Sequence, residues 1–251
     1  MAAGPATDQP DSQLGETADQ FRARFVSQLK EDNFVLYFQP IESTASPGQE
    51  GNFREVLVRY REEEAGLLPL LDRWVVARLL RWGRGLQASG ARMPHCSVNL
   101  SIDTVVRDHA FGEYVVKGLE KTGISAASLT FEIMTTDALA HGAAVARLIP
   151  PLKAAGVSFA LSWFAGEASA LELAQALGFS YIKLDGSLAA NIATDTQQQA
   201  RLAALVQRCR KMGVRTVCML VEDAKTLTHL RAVQVDYVQG FGIAKPRPLE
   251  P

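Results

Sequence analysis

From Phe21 onward the apolar residues switch repeatedly between two spacings. Phe21, Phe25 and Leu29 fall one helical turn apart and predict a helix ending near Glu31. Two β-rich runs follow, Phe34–Phe38 and Phe53–Tyr60, with a Ser/Pro/Gly loop around Pro47 and Gly48 between them. Leu67, Leu71, Trp74, Val75 and Leu79 then mark a long amphipathic helix. Beyond it, strands are predicted at His95–Leu100, Ser128–Ile133, Val157–Leu161, Tyr181–Leu184, Val214–Leu220 and Val235–Val238. Interleaved helices are predicted at Phe111–Lys121, Ala143–Ala155, Ala168–Leu177 and Ala224–Val233, with one more whose inner face is Leu202, Leu205, Val206, Cys209 and Met212.

Short apolar strands, each followed by a helix, predict parallel strands with crossover helices. About eight strands in a chain of this length favour an α/β, TIM-like (β/α)8 barrel, although a doubly wound sheet gives the same alternation. Residues 1–18 lack periodicity and read as a disordered tail, leaving 19–251 as a single domain.

Composition narrows the class. At 47% hydrophobic and 21% charged, the 251-residue chain can bury a core without staples. A formal charge of −1 argues against a nucleic-acid polymer as partner, but not against one small dinucleotide. No apolar run approaches the ~18 residues of a membrane span. The N-terminus is polar, unlike a signal peptide, and Cys96, Cys209 and Cys218 lack metal-site spacing. These features predict a reduced, cytoplasmic protein without a membrane span.

In a barrel, chemistry collects at the C-terminal ends of the strands. The polar residues there are Glu55, Arg59, Asn99, Glu132, Ser162, Lys183, Asp185, Glu222 and Gln239. Each alone reads as a cap or a surface ion pair; together they describe an oxygen-rich pocket for a divalent cation or a phosphate. Other signals are weaker. Gly83, Gly85 and Gly90 follow a helix rather than a strand, and no HExxH or G-x-S-x-G stretch occurs.

Tyr37-Phe-Gln-Pro-Ile41, Glu55-Val-Leu-Val-Arg59, Ser97-Val-Asn-Leu-Ser101, Phe131-Glu-Ile133, Ile182-Lys-Leu-Asp185 and Val238-Gln-Gly-Phe241 resemble, in order, the motifs of EAL domains. These are TIM-barrel-like phosphodiesterases that hydrolyse the bacterial messenger cyclic di-GMP. The resemblance implies a two-metal site whose positions correspond here to Glu55, Asn99, Glu132, the Ser162-Trp163 pair, Lys183 and Met219.

Departures from the family pattern are concentrated in that set. Ser162-Trp-Phe-Ala165 stands where the family has D-D-F-G, and Cys218-Met-Leu-Val-Glu222 where it has A-E-G-V-E. Thr135 replaces a glutamate that steadies a loop at the site. A two-metal mechanism needs hard anionic oxygens, which serine, tryptophan and methionine do not supply. The expectation is therefore an inactive remnant rather than an enzyme, with no catalytic residue and no functional Mg/Mn pair. Ser162, Trp163, Met219 and Thr135 become degenerate positions, and Glu55, Asn99 and Glu132 relic ligands.

The resemblance further implies nucleotide contacts from Gln39, Glu55, Leu57, Arg59, Asn99, Lys183, Gln239, Gly240 and Pro246. The variant motifs look most like FimX-type cyclic di-GMP receptors, regulators in bacterial signalling to motility, pili or biofilm. The chain is short after Arg59, where the family carries a pocket wall, and Glu62–Glu64 follow. That leaves a second reading open: a module that docks to a protein partner without the nucleotide. A homodimer also stays open.

Overall fold

In the computed structural model the described residues are 18–30, 34–46, 53–58 and 67–249. The expected tail up to residue 17, the loop at Pro47 and Gly48, and the segment from Arg59 to Gly66, with Glu62–Glu64, lie outside them. The chain divides into two compact units at Phe34/Val35. In the first, helix α1 (Ala18–Lys30) carries Phe25, whose ring meets Phe34 edge-on at 5.7 Å.

The second unit is the barrel. Its strands are β1 (Leu36–Pro40), β2 (Glu42–Ser43), β3 (Phe53–Val58), β4 (His95–Asn99), β5 (Leu129–Met134), β6 (Ser158–Phe164), β7 (Tyr181–Leu184), β8 (Arg215–Cys218), β9 (Tyr237–Val238) and β10 (Arg247–Pro248). Between them run α2 (Leu68–Ala88), α3 (Ile102–Arg107), α4 (Phe111–Thr122), α5 (Thr135–Ala140), α6 (Gly142–Ala154), α7 (Ala168–Leu177), α8 (Thr196–Lys211) and α9 (Ala224–Ala232). The sheet order is β10-β1-β3-β4-β5-β6-β7-β8-β9-β2. β1 and β2 are consecutive in the chain, separated by Ile41, so the segment that pairs with β3 at one end pairs with β9 at the other and closes the sheet.

β3 to β9 pair in parallel, as the alternation predicts. β1 does not: it runs antiparallel to β3 and to β10. The twelve residues between β1 and β3 hold β2 and, among the described residues, no crossover helix of the kind that joins the parallel strands. The short helices α3 and α5 also escaped prediction, being too brief to show a helical period. α3 is fixed instead by its cap: Ser101 Oγ accepts from the Thr104 amide and donates to Asp72 of α2 at 2.7 Å.

Strand alternation builds the interior in layers. Phe131 and Phe159 face outward and join Phe111 and Phe179 in a run of ring contacts 5.5–6.2 Å apart. Their neighbours face inward. At the N-terminal end, Phe53, His95, Tyr181 and Tyr237 form an aromatic floor, with Phe53 stacked on His95 at 4.4 Å. Ile41, Ala160 and Val217 pack above it. The next inward positions, toward the C-terminal ends, are polar. Phe131 is fully buried between sheet and helices, so Phe131→Ala is expected to cost about 3–5 kcal/mol, read as a lower urea midpoint at unchanged m-value.

Candidate ligand site at the barrel mouth

The C-terminal layer is organised around one ammonium group. Lys183 of β7 is 1% exposed, and its Nζ donates to Glu55 Oε2 of β3 at 2.7 Å and to Glu132 Oε1 of β5 at 2.8 Å. Glu55 is saturated further: Asn99 Nδ2 donates to Oε1 at 2.7 Å and Gln239 Nε2 to Oε2 at 2.6 Å. Gln239 Nε2 also donates to Gln39 Oε1 at 3.0 Å, and Gln39 Nε2 donates to the Ala244 carbonyl at 2.8 Å. The chain of donors fixes both amide orientations. It leaves Gln239 Oε1 as a buried acceptor without a partner.

Two carboxylates around one cation cannot be equivalent. Burial raises the Glu132 carboxyl, the Glu55 charge raises it further, and Lys183 only partly offsets them, so it is pushed up to about 7. Burial also acts on Glu55, but the Lys183 charge and the bonds from Lys183, Gln239 and Asn99 outweigh it and hold its pKa below the ordinary value. Lys183 is held above its ordinary value because the two carboxylates outweigh its desolvation.

Above this layer opens a cavity of about 360 Å³. Gln39, Glu55, Leu57, Asn99, Lys183, Gln239, Gly240 and Pro246, all singled out from the sequence, line it, as does the relic ligand Glu132. Arg59 lies outside the described residues. Gly240 is required by close approach: a Cβ there would sit 2.2 Å from the Val221 carbonyl oxygen. Asp185 is no part of the cavity; it caps the turn that follows, accepting from the Ser187 amide.

The positions that depart from the family pattern separate into two kinds. Ser162 is buried with its hydroxyl unpartnered and does not line the cavity. Thr135 still ties the site, donating from Oγ1 to the Ser162 carbonyl at 2.8 Å. Trp163 and Met219 do line it. Trp163 sits where the β6–β7 register shifts, between Leu161 and Phe164, with φ 55°. Leu220, which the sequence reading passed over, has φ 58° and also lines the cavity. Positive φ is costly for such bulky side chains, and nothing in an apolar residue's identity signals it. Phe241 completes an exposed apolar rim with these two.

Both Glu55 oxygens and one Glu132 oxygen are taken by nitrogen donors, and Trp163 and Met219 carry no anionic oxygen. Among the described residues, no group of three His, Cys, Asp or Glu could hold a metal ion. No described helix is long and apolar enough to cross a membrane.

Fold and mouth together define a TIM-like barrel with a polar, ligand-sized site at its C-terminal face. Residues 22–246 match the EAL domain, and the chain belongs to that family. It is 27% identical over 260 residues to the cyclic di-GMP phosphodiesterase PdeB of Shewanella oneidensis, covering 96% of this chain and 30% of PdeB. It is 28% identical to the cyclic di-GMP phosphodiesterase NbdA of Pseudomonas aeruginosa, covering 88% and 30%. The chain thus spans about a third of the length of these relatives. Among solved structures, the FimX EAL domain of Xanthomonas citri in complex with c-diGMP superposes with a TM-score of 0.82 at 21% identity, covering 92% and 94% of the two chains.

These relatives overturn the expectation that the chain is not an enzyme. Proteins that match nearly all of it are named phosphodiesterases. The expectation rested on three side chains, while Glu55, Asn99, Glu132 and Lys183 remain assembled at the mouth.

The ion triad has a sign that can be measured. An acid whose folded pKa lies above its ordinary 4.5 loses stability as pH rises through the window from 4.5 to about 7. Glu132→Gln removes that loss, so its melting temperature relative to the parent is expected to rise between pH 5 and pH 8. Lys183→Met strands two buried carboxylates and is expected to cost about 3–5 kcal/mol, measured by chemical denaturation at pH 8.

Proposed function

We propose that this chain is a cyclic di-GMP-binding EAL domain of bacterial signalling that takes the nucleotide at the barrel mouth without a divalent ion. The observation that carries this reading is one cavity lined by Gln39, Leu57, Asn99, Gln239, Gly240 and Pro246, above two carboxylates that share the Lys183 ammonium. Gln239 Oε1, an acceptor with no partner, suits an N–H on a guanine edge. Leu57 and Pro246 offer apolar contact to a base, and Arg59 belongs to the same proposed set as a phosphate partner. The likeness to an EAL domain solved with c-diGMP supports the ligand. The relatives' names support phosphodiester hydrolysis as the activity of this site. Motility, pili or biofilm as the output rests on the resemblance to FimX-type regulators.

A second reading, docking of a protein partner, has its own observation. Met134, Trp163, Leu220 and Phe241 are all exposed apolar residues at or just beyond strand C-terminal ends. A homodimer through the same rim belongs to this reading.

Titration calorimetry with cyclic di-GMP, with and without Mg²⁺, separates the readings. Micromolar binding of equal strength in both buffers is expected, weakened about tenfold by Gln39→Ala through its lost hydrogen bonds. Absence of heat at millimolar nucleotide would leave the docking reading, and binding that appears only with Mg²⁺ would remove the metal-independent part. Chromatography of the same samples for cleaved nucleotide reads turnover directly.

A further inference from the structure

The opposite end of the barrel carries a second cavity, of about 330 Å³, between the C-terminal ends of α8 and α9 and the starts of β8 and β9. Three guanidinium groups line it. Arg210 is fixed by Gln234, donating from Nη1 to Oε1 at 2.7 Å and from Nη2 to the backbone carbonyl at 2.9 Å. Arg215 donates from Nη1 to the Tyr237 hydroxyl at 3.1 Å and lies over the Tyr181 ring at 5.3 Å. Arg231 has no ion pair or side-chain hydrogen bond among the described residues.

The acid beside them is already engaged. Asp236 Oδ2 accepts from the Thr216 amide and hydroxyl, each at 2.8 Å, and Oδ1 lies 3.9 Å from Arg210 Nη2. Among the described residues, three cations against one carboxylate is an excess in a chain whose formal charge is −1. Cations in a last helical turn commonly offset the helix dipole, which supplies roughly half a negative charge at each C-terminus. Two helix ends therefore account for about one of the two surplus charges counted among the described residues.

Two guanidiniums held in place and one uncommitted, beside a tyrosine ring, form a preorganised site for a planar molecule carrying a phosphate. We propose that this base pocket binds a small organic phosphate monoester, independently of the mouth.

The test is calorimetry of the full chain with AMP and with inorganic phosphate as probes. Saturable one-to-one binding of AMP is expected, tighter than that of phosphate and weaker in high salt. Arg231→Gln, which removes no described contact, is expected to weaken AMP binding about tenfold while leaving the heat of cyclic di-GMP unchanged. Absence of saturable AMP binding, or binding unaltered in both Arg231→Gln and Arg215→Gln, would overturn the site. Equal affinity for AMP and phosphate would overturn its organic part. If cyclic di-GMP fails to bind while AMP binds with this dependence, the mouth reading fails and the base pocket stands.

Discussion

The ammonium of Lys183 is the constraint on which the mouth depends. It lies on β7 and bonds to carboxylates on β3 and β5, so one group ties three strands across the barrel interior. Removing water from a lysine is costly, and only both acids together repay it. Without the cation the two carboxylates would repel at short range. The network then runs outward through Asn99, Gln239 and Gln39 to the Ala244 carbonyl, reaching β4, the residue after β9, β1 and the loop before β10. A fully connected polar network of this kind admits few alternative arrangements, which is how it specifies one geometry for the rim.

That geometry sets what the mouth can recognise. Its two carboxylates share one ammonium, and the cavity above them is bounded largely by amide groups and apolar walls. Two of those walls, Trp163 and Leu220, stand on left-handed backbone. Neighbouring close contacts hold one of them: the Leu220 side chain lies against Gly186, and Gly240 presses on the backbone of Val221. Strain that persists beside a cavity because packing holds it is usual at ligand sites. The family relationship and the donor set bear on different questions. The relatives speak for an enzyme; the donors determine which groups of this chain face a ligand.

Much of this was legible in the chain. Lys183 and Glu132 stand at the ends of β-branched, apolar runs, where barrel geometry places side chains in the mouth, and alternation puts them inside. Phe34–Phe38 reads as a strand, two residues short of where β1 (Leu36–Pro40) ends, but not as an antiparallel one, because direction is set by the connection rather than by the strand's own residues. α3 depends on Ser101 meeting Asp72, a tertiary contact invisible to periodicity. Trp163 was read only as a lost aspartate; its position at a register shift depends on pairing with β7. The enzyme expectation failed for a related reason: it weighed three substitutions by ligand chemistry alone, against a resemblance spread over the whole barrel.

The same alternation explains how one barrel can carry an acidic mouth and a basic base. β7 turns both Tyr181 and Lys183 inward, about 6.6 Å apart along the strand. Arg215 pairs in register with Tyr181, so distance alone would screen little between the Arg215 and Lys183 charges in a low-dielectric interior. The aromatic floor supplies the separation. Its one titratable nitrogen base, His95, has its pKa lowered to about 4 by burial and by the Arg215 charge. The imidazole is therefore neutral at physiological pH, stacked on Phe53 and paired through Nε2 with the Thr130 hydroxyl at 2.7 Å. An uncharged layer between Lys183 and Arg215 lets each end keep its own ion balance. A histidine there, rather than a lysine or glutamate, is compatible with both.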